Sequence, residues 1–304
     1  MDHEASTPYQ PILEVPFPGA TNLPVPAATA EMLPGIMASE CSKGKCGDGP
    51  NLVYALGQLD YDFGSEARRD SFLQHGVGNP HDPAALLLHL SAHPSHAAAL
   101  TWTLVQDATP IYAIFPFGPF GAEGYATLRE FLQGQIGGGV ERVSVPGWSK
   151  GTATLMSGQT VPLIVPELRG MYSWSTSALV KAVAGDSAKA DKVADIANFL
   201  ERVYYEIRNL GVTPRDRAIN YAATNAFQLG DVYTAALRNG MKLDGIEVER
   251  SPICRPESDC WDVKLTFFHP SKRLEQAREV YRFTVDVSDI VPVTVGTVRH
   301  WSVY

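Results

Sequence analysis

From residue 51 onward, apolar positions come in strand-length runs or in stretches where they recur every third or fourth residue. The first run, residues 52–59, predicts a buried strand ended by Gly64 and Ser65. Ser65 then caps a helix over "EARRDSFLQH", and "HDPAALLLHLSAH" and "PSHAAALTWTLVQD" predict two more, the second opened by Pro94. A strand over 109–116, a helix over 122–136 closed by the triple glycine 137–139, and three short strands within 140–166 follow. Val193, Ile196, Ala197, Leu200, Val203, Tyr204 and Ile207 keep the helical period over residues 188–210, so a long amphipathic helix is expected there. A second long helix runs from Thr213 as N-cap, through Pro214 at the first position, to Gly240. The remainder predicts strands over 246–250, 261–268, 279–287 and 292–303, with a short helix over 271–277. Tyr281, Phe283, Val285 and Val287 alternate onto one strand face.

These elements amount to an α+β chain with mixed and antiparallel sheets and two long helices, arranged as two closely packed lobes. Residues 51–166 make an N-terminal α/β lobe, and residues 167–304 a C-terminal α+β lobe. Residues 1–50, rich in Pro, Ala and Gly and without sustained period, read as an extended arm.

Composition narrows the function. The 304 residues are 45% hydrophobic and 19% charged, enough for a large core. With 25 basic and 33 acidic residues the net charge is −8, so nothing draws in a phosphate backbone and no nucleic-acid partner is expected. The start, "MDHEASTPYQPILEVPFPG", lacks the basic residues and apolar run of a secretion signal. The most apolar stretch, "TPIYAIFPFGPFG", is broken by prolines and glycines, so no membrane span and a cytoplasmic location are expected.

Cysteine is the first candidate chemistry. Cys41 and Cys46 flank four residues in "ECSKGKC", and Cys254 and Cys260 flank five in "CRPESDC". Two such knuckles brought together supply four thiolates for a structural Zn2+, with no coordination position left for water; two disulfides or four free thiols are the alternatives. In "DYDFGSEARRD", Asp60, Asp62 and Glu66 are candidates for acid–base work, and Arg68 and Arg69 for gripping a peptide carboxylate. The same residues also suit a capped helix with surface ion pairs. Arg217, Tyr221 and Asn225 share a helix face at four-residue spacing, either hydrogen-bonded in the core or lining a cleft. The eight histidines do not converge in sequence; Pro94 interrupts the helix between His89, His93 and His96, which read as surface or core residues. There is no G-x-G-x-x-G in a nucleotide-binding context, no P-loop and no G-x-S-x-G elbow.

Several blocks carry a resemblance: "VYALGQLDYDFGSEARRDSF", "LTWTLVQDATPIYAI", "PELRGMYSW", "FLERVYYEIRNLGVTPRDRAINYAATNAFQ", "SPICRPESDCWDVKLTFFHP" and "YRFTVDVSDIVPVTVGTVRHWSVY". Over residues 50–304 the chain resembles the C-terminal domain of unknown function of cyanobactin maturation proteases of the PatA/PatG type. Such proteins take part in making ribosomal, often macrocyclic, peptides. The subtilisin-like blocks are missing, the nearest string to a nucleophile motif being "STSAL" at 175–179, so protease activity is not implied. The resemblance implies an accessory module that binds a precursor peptide or a peptide-modifying enzyme, and a homodimer is the expected assembly. A stand-alone peptide-tailoring enzyme using Asp60, Asp62 and Glu66 is the rival.

Overall fold

The computed structural model describes residues 36–37, 51–175, 208–224, 232, 240–272 and 275–304. The predicted arm apart from residues 36–37, the predicted helix 188–210 apart from 208–210, and most of the second long helix beyond Thr224 lie outside the described residues. So do Cys41, Cys46 and Asn225.

Strands β1 (Ile36–Met37), β2 (Leu52–Asp62), β3 (Thr101–Gln106), β4 (Thr109–Ile114), β5 (Arg142–Thr154), β6 (Thr160–Pro166) and β7 (Tyr172–Trp174) form a mixed sheet. β5 pairs with β2 through Val143–Trp148 and with β6 through Gly147–Thr154, while β2, β3, β4 and β6 pair in that order. The sheet therefore closes on itself like a small barrel, which leaves fewer open edges. Trp102, Leu104, Leu128, Val143, Val145 and Ile164 are fully buried in its core.

Among the described residues, three helices that precede β5 cover this sheet. α1 (Glu66–Gln74) is capped by Ser65, whose Oγ accepts the Arg68 N–H at 3.3 Å, and α2 (Pro83–Ala92) by Asp82, whose Oδ1 accepts the Ala84 N–H at 3.0 Å. α3 (Gly121–Ile136) ends with Gln135, which exchanges hydrogen bonds with the Leu59 backbone at 2.9 and 3.3 Å. There β2 switches partner from β5 to β3.

Two predictions on this side are corrected. "PSHAAALTWTLVQD" is a 3-10 turn, Pro94–Ala99, followed by β3. The β-branched and aromatic residues of "TWTLVQ" fit the pleated interior, and the buried Trp102 donates its indole N–H to the Ala97 carbonyl at 2.9 Å. β5 is one 13-residue strand where two were expected. Pro146 does not end it, because the Pro146 carbonyl accepts the Glu167 N–H at 2.8 Å as β6 turns away.

The second sheet is an antiparallel meander of β8 (Lys242–Arg250), β9 (Cys260–Phe268), β10 (Arg278–Asp286) and β11 (Val293–Val303). The predicted helix over 271–277 is a 3-10 turn, Pro270–Lys272, among the residues described there. Val263, Val285 and Val287 face Ala218 of α4 (Pro214–Thr224). α4 contacts β2 on one side and β8, β9 and β10 on the other, so it is the layer shared by the two sheets. Thr213 caps it, accepting the Asp216 N–H at 3.1 Å.

Residues 208–210, expected as the end of a helix, are instead non-helical, bend at Asn209 and lead into Gly211. The half of β2 that β3 does not reach would otherwise present unpaired backbone. Tyr54 N–H donates to the Gly211 carbonyl at 2.9 Å, the Asn220 amide donates to the Tyr54 carbonyl at 2.8 Å, and the Gln106 amide to the Leu56 carbonyl at 2.7 Å. Gly211 is required here: its φ is +68°, and a Cβ would strike the Tyr54 carbonyl.

Candidate functional site

Three loops distant in sequence build a cleft of about 970 Å³. The β4–α3 loop supplies Phe117 and Phe120, which are 74% and 65% exposed. The end of β6 and the 3-10 turn Leu168–Gly170 supply Glu167, Leu168 and Arg169. The β10–β11 loop supplies Asp289, Ile290 and Val291, and Trp148 of β5 joins the lining. Large aromatics left in water beside a concave, mostly apolar surface mark an interaction site.

The walls are held by identifiable contacts. Arg217 of α4 is buried, and its guanidinium donates to the Asp289 carbonyl. Among the described residues its Nε has no hydrogen-bond partner. Burial pulls this guanidinium below its ordinary pKa, and the Asp259 and Asp289 carboxylates oppose that. Val291 packs over Gly170, where a Cβ would lie 2.6 Å from Val291 Cγ2 and 2.5 Å from Pro146 Cγ. Phe115 and Phe117 stack with ring centroids 6.0 Å apart, which orients the exposed ring.

The residues singled out in the sequence are scattered. Asp60 on β2 keeps much of its surface in water, but the surrounding chain partly desolvates its carboxyl and pushes its pKa up, the Tyr61 N–H at 2.8 Å opposes, and Asp62 adds to the rise. Asp62 Oδ1 accepts the Gly64 and Met156 N–H groups at 2.6 and 2.9 Å, so it ties the end of β2 to the β5–β6 hairpin. Glu66 is exposed in the first turn of α1, Arg68 donates to the Phe63 carbonyl at 3.0 Å, and Arg69 pairs with Asp70 at 3.1 Å. Tyr221 is half-buried, edge-on to Tyr54 at 5.8 Å. Tyr54 is buried with its hydroxyl 2.9 Å from Thr224 Oγ1, and burial pushes its pKa to about 12. Cys254 and Cys260 face each other across a turn, Cα atoms 5.6 Å apart, joined as a disulfide.

Sequence reasoning missed a histidine cluster. Pro94 opens the 3-10 turn that folds His96 back onto His89, with Nε2 of His89 and Nδ1 of His96 2.9 Å apart. His93 lies 4.9 Å and His75 6.4 Å from His89, centroid to centroid. Burial, and then His96, His93 and His75, hold His89 below the usual histidine pKa. The available signal was the spacing of four and three among His89, His93 and His96.

Two family descriptions match the chain, "PatG Domain" over residues 52–151 and "PatG C-terminal" over residues 186–301. A solved structure described as "PatG Domain of Unknown Function" is similar at 42% identity and a TM-score of 0.78, covering 84% of this chain and 100% of that one. No curated protein matches the sequence.

Proposed function

The chain belongs to the family of PatG-type domains of unknown function, and from that premise we propose that it is a peptide-binding accessory module of ribosomal peptide maturation of the cyanobactin kind. The observation that carries this reading is the cleft between the barrel-like sheet and the β10–β11 loop, with Phe117 and Phe120 exposed on one lip and Glu167 and Arg169 on the other. An extended peptide suits it. Aromatic and proline-lined grooves bind extended segments through side-chain contacts, with charged groups at the rim choosing register. The rival tailoring enzyme is less well supported, because Asp62 is occupied by two backbone N–H groups and Asp60 by the Tyr61 N–H.

Isothermal titration of the full chain with the precursor peptide encoded beside its gene tests the reading. Saturable heat in the micromolar range, with the peptide's mass unchanged after incubation, is expected. No heat at high micromolar peptide, or a mass shift in the peptide, overturns it.

The cysteine pattern supports a second, structural element of the proposal: Cys41, Cys46, Cys254 and Cys260, when reduced, hold one Zn2+. Cys254 and Cys260 already sit side by side, as two ligands of one ion must. Native mass spectrometry of protein purified under reducing conditions is expected to show one zinc per chain; four reactive thiols without metal contradict this.

A further inference from the structure

We infer that His75, His89, His93 and His96 form a binding site for a divalent first-row transition-metal ion of the Zn2+ or Ni2+ class. The cluster is assembled by two helix ends. His75 is the C-cap of α1 and His93 the C-cap of α2, while His89 lies in the last turn of α2 and His96 in the 3-10 turn that follows. A helix C-terminus carries partial negative charge, and two of them meet here, so a cation is favoured over an anion.

The two nearest ring nitrogens share one hydrogen bond, and their spacing is close to that of two ligands on one ion. Two nitrogens each about 2.1 Å from one metal stand roughly 3.0 Å apart at a right angle and about 3.4 Å apart at a tetrahedral one. Nε2 of His89 and Nδ1 of His96 are 2.9 Å apart. His93 stacks on His96 at 5.1 Å and His75 lies edge-on to it at 5.5 Å, so both rings adjoin the pair. As the rings stand, no three metal-ligating side chains among the described residues meet around one point. His75 and His93 are exposed, and exposed rotamers interconvert within nanoseconds. The base of the cluster is fixed: His89 is buried, and Phe72 packs edge-on against His89 at 5.5 Å and His96 at 6.1 Å.

All the donors are imidazole nitrogens. Such a set suits Zn2+, Ni2+ and Cu2+ and suits Mg2+ or Ca2+ poorly, since those take oxygen. A bound ion joins the ends of α1 and α2. The i, i+4 spacing of His89 and His93 is also the helical spacing used by paired histidine ligands.

The test uses the full chain carrying no polyhistidine tag, stripped with chelator and alkylated at its cysteines so that sulfur cannot bind the ion. ZnCl2 and NiCl2 titrations are expected to show one ion per chain with a micromolar Kd, and a rise in Tm of several degrees at about 100 times that concentration. CoCl2 is expected to give d–d absorption without a thiolate charge-transfer band. The paired substitution His75→Ala with His93→Ala, at exposed positions, is expected to leave the metal-free Tm in place and weaken binding at least tenfold. His89→Ala should abolish binding, but the exposed pair decides the matter should that variant unfold. No saturable binding below millimolar metal, or an unchanged Kd in the exposed pair variant, overturns the inference.

Discussion

Replacing Asn220 with alanine tests how α4 is seated between the two sheets. Asn220 is fully buried; its Nδ2 donates to the Tyr54 carbonyl and to Asn209 Oδ1, each at 2.8 Å, and its Oδ1 accepts from Asn209 Nδ2 at 3.0 Å. Alanine deletes all three bonds. Depriving a buried polar group of its partner costs about 1–3 kcal/mol. Asn209 is half-buried and can turn to water, so the Tyr54 carbonyl dominates and the expected loss is about 2–3 kcal/mol. Asn220→Asp keeps the shape but sets a carboxylate oxygen against the Tyr54 carbonyl or Asn209 Oδ1, so its loss should be larger, about 4 kcal/mol. Urea unfolding of the three proteins gives these differences directly, and the alanine variant should melt roughly 5–10 °C lower. An alanine variant within about 0.5 kcal/mol of the parent, or an aspartate variant more stable than the alanine one, would refute the reasoning.

The double variant Phe117→Ser with Phe120→Ser should keep its stability within about 0.5 kcal/mol, because both rings are mostly in water, yet lose at least tenfold in precursor-peptide affinity by titration calorimetry. Equal affinity would remove the aromatic lip from the account. Arg217→Met exchanges a buried charge and its bond to the Asp289 carbonyl for an apolar stem, so urea stability should change by no more than about 1 kcal/mol while the 289–291 wall loosens and peptide binding weakens. Large destabilisation without loss of affinity would invert that assignment. Burial holds Tyr54, Tyr61, Tyr112, Tyr125 and Tyr281 up at about 12 in the folded chain, against 10 as the ordinary value. A raised folded pKa means the unfolded chain loses these protons first, so the stabilisation is whole below pH 10 and is lost as pH rises toward 12. Urea midpoints should therefore fall across that interval; a flat profile would contradict it.

Local signals made part of this fold legible. Ser65 and Thr213 cap helices whose starts they announced, and the alternation of Tyr281, Phe283 and Val285 lies on the inner face of β10. What escaped depends on contacts between distant segments. "TWTLVQ" follows a helix-like stretch, and only its place between β2 and β4 makes it a strand. Pro146 looks like a strand end, and only the Glu167 N–H on its carbonyl shows why β5 runs through it.

The site was less legible than the fold. Four-residue spacing put Arg217 and Tyr221 on one face of α4, but not that Arg217 is buried behind the cleft, anchoring its wall through the Asp289 carbonyl. The cleft itself joins residues near 117, 167 and 290, a juxtaposition no local pattern encodes. The histidines were hidden for the same reason, because His75 and His96 belong to different elements.

Hydrogen exchange of the full chain with and without saturating precursor peptide tests the central claim most directly. The account predicts slowed exchange in three separate segments, 116–124, 166–170 and 288–292, and unchanged exchange on β11. Protection confined to any other surface, or none at a peptide concentration that gives heat, would contradict the assignment of the cleft as the peptide site.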